Sequence, residues 1–228
     1  MSQKIAGAIE RVQERIERAC EGAGRDPGSV QLVAVSKGHP EEVIRTAYAA
    51  GMRVFGENYA QELAAKASAL SDLRDIRWRF IGHLQRNKIK LIEGAQATVD
   101  TVDSARLAQA LSTRAGASGT DLEVLLQVNV GGEAQKSGCT PDEVPALVEA
   151  VRALPNISLR GLMTVAPHLD EVEATRPFFA TLRGLAEAHG LPELSMGMTH
   201  DLEQAVAEGA TMLRIGTAIF GPRPAAEP

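Results

Sequence analysis

The chain has 228 residues, 44% of them hydrophobic and 23% charged, with a formal net charge of −5 at pH 7. That length can bury a substantial core without disulfide or metal staples, and it suits one α/β barrel. The acidic balance, with no run of Lys and Arg, argues against a nucleic-acid or anionic-membrane surface, since both need a concentrated basic patch.

In chain order, Ile5, Ile9, Val12, Ile16 and Ala19 recur at helical spacing ahead of Gly22 and Gly24, which predicts an amphipathic helix over residues 1–24. Its opening residues are charged throughout, unlike a secretion signal, and no apolar stretch has the length of a membrane span. From there a rhythm begins. Apolar runs fall at 32–36 (LVAVS), 52–56 (MRVFG), 78–82 (WRFIG), 97–102 (ATVDTV), 122–130 (LEVLLQVNV), 157–165 (ISLRGLMTV), 191–197 (LPELSMG) and 211–217 (TMLRIGT). Between them lie helical patterns such as PEEVIRTAYAAG and PDEVPALVEAVRAL, several opened by Pro, Ser or Asp and closed by Gly. Strand–helix alternation implies a parallel sheet, and eight repeats of it predict a single (β/α)8 barrel preceded by an extra helix, with a short tail at 222–228. A doubly wound open sheet is the alternative.

Barrel sites sit at the carboxyl ends of the strands. Those ends carry Lys37; Gly56, Glu57 and Asn58; Gly82 and His83; Asp100; Asn129; Met163 and Thr164; Ser195, Gly197 and Thr199; and Arg214, Gly216 and Thr217. In SMGMTHD and RIGTAIFG a strand runs into a helix through glycine and threonine, the composition of a phosphate cradle built after strands seven and eight from loop N–H groups, hydroxyls and a helix N-terminus whose dipole favours an anion; the plainer reading is a pair of tight turns. Opposite them stands Lys37. A lysine at a strand end is ordinarily solvated decoration, whereas a desolvated one at a barrel mouth loses basicity and becomes able to form an imine with a carbonyl. Arg214, always charged, needs an acceptor, either on a ligand or in a structural ion pair.

LVAVSK, FGEN, FIGHLQRNK, KSG, RGLMTV, SMGMTHD and TMLRIGTAIFG stand in the order and spacing of the pyridoxal phosphate homeostasis proteins. This resemblance runs from about Leu32 to Gly221. It implies the barrel of the alanine racemase N-terminal domain, with pyridoxal 5′-phosphate (PLP) held as a Schiff base on the lysine that matches Lys37. By position Arg214 matches the arginine facing the pyridine nitrogen, Thr199, Gly216 and Thr217 match the phosphate-binding stretch, and Asn58, Met163 and Ser195 match residues lining the cofactor; Gly197 belongs to the same cradle. Where the family commonly has Ser, this chain has Thr199, which keeps the hydroxyl and adds a methyl.

The same resemblance implies a role in storing, buffering or delivering PLP to apoenzymes. The alternative is a PLP-dependent enzyme with weak racemase or lyase activity, and a class I aldolase is a further rival. Racemisation needs an acid–base group on each face of the substrate. Only Tyr48 and Tyr59 are available beside Lys37, both in stretches predicted helical, and Arg214 cannot protonate a pyridine nitrogen. The balance favours a carrier over a catalyst, cytoplasmic and monomeric, with PLP as ligand and no nucleic acid or membrane as partner.

Cys20 and Cys139 are far apart and lack metal-ligand neighbours, so neither a disulfide nor a zinc site is expected. His39, His83 and His200 read as solvated loop residues near the mouth, Glu57 as a buried carboxylate fixing its loop, and Gln85, Asn87 and Lys88 as rim residues. Lys136, in the polar EAQKSG loop, is the second candidate amine and a candidate transient acceptor of PLP.

Overall fold

The structure is a computed structural model describing residues 2–222. Except for Pro222, the tail expected at 222–228 therefore lies outside the described residues. Eight parallel strands close into a barrel in sequential order: β1 Gln31–Val35, β2 Val54–Glu57, β3 Arg77–Phe80, β4 Thr98–Val102, β5 Leu122–Gln127, β6 Ile157–Met163, β7 Glu193–Ser195 and β8 Met212–Ile215. Around them run α2 Glu41–Ala49, α3 Ala60–Ala69, α4 Ile89–Gly94, α5 Ala105–Ser118, α6 Val144–Arg152, α7 Arg176–Ala188, α8 Leu202–Ala207 and α9 Thr217–Phe220, with α1 Ser2–Gly22 ahead of the barrel. The closed barrel excludes the open-sheet alternative.

Strand alternation sorts the side chains. Ala34, Phe55, Phe80, Val99, Val124, Leu162, Leu194 and Leu213 face outward into the main core, against the helices. Val33, Val54, Leu125, Met163 and Met212 form a separate apolar cluster inside the barrel. Buried on the same interior parity are Arg79, Asp100, Ser195 and Arg214.

The extra helix has a structural task. The helix after β8 is a single turn, too short to cover the wall between β8 and β1. The stripe of α1, with Ile5, Ile9, Val12, Ile16 and Cys20 buried, packs against α8, α9 and α2 and fills that place. Fully burying each such side chain stabilises the fold by roughly 1.5–3 kcal/mol.

Several boundaries differ from the sequence reading. β3, β5, β6, β7 and β8 end two or three residues early, and β2 ends one residue later, so Glu57 closes the strand instead of following it. Asp100, expected at a strand end, lies mid-strand in β4 and is fully buried inside the barrel. Tyr59 precedes α3 instead of lying in a helix and is 58% exposed at the mouth. His39 is buried against Phe220, with ring centroids 5.3 Å apart, because α9 folds back over it; it is not a solvated histidine.

Candidate binding site

Lys37 lies two residues beyond the end of β1, with a backbone parity shared with the inward-facing Val33. Its backbone is clamped on both sides. Lys66 Nζ, only 5% exposed on α3, donates to the carbonyl of Ser36 at 2.7 Å, and the N–H of Gly38 donates to Glu62 Oε1 at 2.6 Å. Lys66 and Glu62 are one helical turn apart and pair with each other at 2.6 Å. Lys66 also pairs with Glu57 Oε1 at 2.7 Å, and Ser36 Oγ donates to that same oxygen at 2.6 Å. Burial holds the Glu57 carboxyl above its usual range despite Lys66, and its Oε2 is buried without a hydrogen-bond partner. The loop that presents Lys37 is therefore tied to α3 on both sides of the lysine.

Arg214, 5% exposed, donates from Nη1 to Ser195 Oγ at 2.8 Å and from Nη2 to the carbonyl of Thr164 at 2.7 Å. Ser195 Oγ in turn donates to Asp100 Oδ2 at 3.4 Å, and Asp100 takes Arg79 Nε on both oxygens at 3.0 Å. Burial pulls the Arg214 guanidinium down to about 10, opposed by the charge of Asp100, and pushes the Asp100 carboxyl up against the pull of Arg79. Arg214 thus stays cationic at neutral pH on a frame of buried partners.

The residues expected to form the cradle lie on the loops after the paired strands β7 and β8. Gly197 has φ +92°, and a Cβ there would stand 2.5 Å from Ala205 Cβ, so the turn after β7 admits only glycine. Gly216 adopts an ordinary φ but lies so close to β1 that a Cβ would approach the Val35 carbonyl to 3.1 Å. That contact brings Gly216 and Thr217 alongside the Lys37 loop. The helices that follow these loops are short, six residues in α8 and four in α9, so the helix dipole expected to favour an anion here is small.

Asn58 and Met163 line a cavity of about 190 Å³ at the mouth, together with His83, Gln127 and Lys136. Asn58 Oδ1 is buried there without a partner, an orphan that a ligand polar group would satisfy. Lys136 is not the loose side chain its loop suggested: it donates to the carbonyls of Val165 and Ala166 at 3.3 and 3.1 Å and pairs with Glu133. Gln85 and Lys88 border a neighbouring hollow with Tyr59, while Asn87 stands exposed on the rim. Tyr48 is engaged elsewhere, bonded to Asp75 and under the guanidinium of Arg53. The residues missed from sequence are Ser36, Glu62, Lys66 and Arg79; of these only Glu62 and Lys66, spaced i, i+4 after FGEN, left a visible trace.

Among the described residues no group of three or more His, Cys, Asp or Glu is placed to hold a metal. Both cysteines are buried free thiols, with Cys139 pushed up to about 11 by burial. No helix among those residues is long and apolar enough to cross a membrane.

A lysine, a buried arginine and loops carrying glycine and threonine stand at one end of a closed parallel barrel. The alanine racemase N-terminal domain family matches residues 8–224, and alanine racemase from Corynebacterium glutamicum, 22% identical, superposes with a TM-score of 0.70 over all of this chain and 62% of its own. Within that class the relatives are narrower. The pyridoxal phosphate homeostasis protein of Pseudomonas aeruginosa is 50% identical over 96% of both chains, and that of Aquifex aeolicus 45% identical over 94% of this chain and 96% of its own. PipY of Synechococcus elongatus PCC7942 with PLP bound superposes with a TM-score of 0.82 at 37% identity, over 96% of this chain and all of its own. The chain belongs to the pyridoxal phosphate homeostasis protein family.

Proposed function

We propose that this protein binds PLP at the barrel mouth through a Schiff base on Lys37 and holds it in a reversible store, buffering or delivering it within the cell. The observation that carries the reading is the clamp on Ser36 and Gly38, which fixes the backbone of Lys37 at the mouth shared with Arg214 and the Gly197 and Gly216 loops. When bound, PLP supplies an aldehyde that condenses with an amine, releasing water, and that hydrolysis returns. Thr199, Gly216 and Thr217 are assigned to its phosphate, Ser195 and Arg214 to the ring-nitrogen side, and Asn58 and Met163 to its flank. The orphaned Asn58 Oδ1 and the close approach of Gly216 to β1 suit a ligand of that shape.

We assign it no reaction of its own. Tyr48 is bonded to Asp75, and Tyr59 stands largely in solvent, where water competes for any proton it offers. Two buried free thiols suit a reducing cytoplasm; the assigned partners are PLP and PLP-dependent apoenzymes, and the assigned state is a monomer.

The test is an absorption spectrum of the purified protein with PLP, before and after borohydride, followed by peptide mapping. The expected result is a band that reduction converts into a stable adduct on Lys37, absent from Lys37→Ala. No band, or an adduct spread over surface lysines, overturns the assignment; exchange of an amino acid's α-proton in the loaded protein overturns the non-enzymatic part alone.

A further inference from the structure

The loop from Gly197 to Asp201 is held from three directions. The N–H of Arg214 donates to the Gly197 carbonyl at 3.0 Å, tying its start to β8. The N–H of Met198 donates to Asp201 Oδ1 at 2.6 Å, closing the turn on itself. The third hold comes from outside the barrel unit: Arg15, in the middle of α1, donates from Nη2 to the carbonyl of Thr199 at 3.2 Å. The same guanidinium grips Glu203 on both oxygens, from Nε and Nη2 at 2.9 Å each.

This geometry has a directional consequence. A trans peptide points its carbonyl and the following N–H in opposite directions. With the Thr199 carbonyl drawn toward α1, the N–H of His200 faces away from α1, as a donor for an anion on the other side of the loop. The charge of Arg15 is matched by Glu203, so its influence is one of orientation more than of attraction at a distance. We propose that Arg15 is a positioning residue that orients the Thr199–His200 peptide for a phosphate, and so sets the preference for the phosphorylated over the unphosphorylated form of the ligand. This rests on the reading that the mouth takes PLP on Lys37. It also gives the added helix a second role beside covering the wall.

The experiment compares PLP with pyridoxal, which has the same aldehyde and ring but no phosphate, by spectroscopic titration of the full chain. Arg15→Gln is expected to weaken PLP by about tenfold, the weight of one well-placed hydrogen bond, and to leave pyridoxal within about twofold. Inorganic phosphate is expected to compete with PLP less well on the variant than on the wild type. Arg25→Gln is the control. Arg25 also ties the N-terminal region to α8, donating to the Val206 carbonyl at 2.7 Å, but at the far end of that helix from the loop. It is expected to leave the PLP-to-pyridoxal ratio unchanged.

An equal loss for both ligands in Arg15→Gln, no loss for either, or the same change of ratio in Arg25→Gln overturns the inference. Should Arg15→Gln fail to fold, Arg15→Lys carries the same test, because it keeps the charge but cannot span Glu203 and the Thr199 carbonyl together; about a threefold change of ratio is expected. Wild-type protein that takes neither ligand on Lys37 overturns the parent reading instead, and the two failures are separately visible.

Discussion

Two buried charge clusters serve the mouth, one on each side of the barrel wall. Outside it, between β2 and α3, Lys66 is bound to Glu57 and Glu62 and grips the backbone around Lys37. Inside it, Asp100 stands between Arg79 and, through Ser195, Arg214. Burial raises both carboxyls, Glu57 and Asp100, but the clusters differ in redundancy and in what they deliver. The outer one has a single cation for Glu57 and delivers a backbone position. The inner one shares two arginines, with Glu193 a further 3.7 Å from Arg79, and delivers an oriented charge. The chain thus holds the backbone around Lys37 by direct hydrogen bonds and the charge of Arg214 by a relay of side chains.

Removing the lone cation is the strongest way to break this comparison. Lys66→Met leaves Glu57 fully buried with Ser36 as its remaining hydrogen-bond donor among the described residues, and frees the Ser36 carbonyl. An uncompensated buried charge costs about 3–5 kcal/mol, so denaturant unfolding should show a loss of that order, together with slower adduct formation on Lys37. A loss below about 1 kcal/mol would mean that Glu57 is held neutral and that the clamp is not ionic. Asp100→Asn should cost less, about 2 kcal/mol, because the amide keeps one acceptor for Arg79 and Glu193 retains part of its pairing. Its effect on ligand should appear through Arg214, as weaker PLP binding with the Lys37 adduct still forming. If it instead matches the stability loss of Lys66→Met, the shared arrangement is no more tolerant than the single pair.

Much of this architecture was legible before any coordinates. Eight apolar runs named eight strands, and the stripe from Ile5 to Ala19 named α1, because a barrel strand buried on both sides and an amphipathic helix leave opposite periodicities. The placement of Lys37, Ser195, Gly197 and Arg214 at or near strand ends was legible because a polar or glycine residue that breaks an apolar run marks where a strand leaves the core. What escaped was pairing across distance. Asp100 reads as a strand end because a charged residue interrupts the apolar run in ATVDTV, and only barrel closure brings Arg79 to it. Arg15 reads as one more solvated charge on α1, since nothing local marks a side chain whose partners, Thr199 and Glu203, lie more than 180 residues away. The polar look of EAQKSG misled in the same way, as the carbonyls that hold Lys136 come from β6's loop.

The smallest effect sharpens the comparison by pH. Burial places the Glu57 carboxyl above its ordinary value in the folded chain, so between those two values the folded chain holds a proton that the unfolded chain has released. Stability from this group is complete below the unfolded value and is lost as pH rises through the folded one, with a slope of at most about 1.4 kcal/mol per pH unit for one proton. Wild type should therefore gain on Glu57→Gln, or lose less, as pH falls from neutral toward the ordinary carboxylate range, in paired thermal melts across that window. Asp100 is raised for the same first reason, so Asp100→Asn should differ from wild type with the same sign. A slope of opposite sign in either variant would show that the cations beside that carboxylate, Lys66 outside the wall or Arg79 and Arg214 within it, outweigh its burial, and would make the two clusters differ in charge state as well as in redundancy.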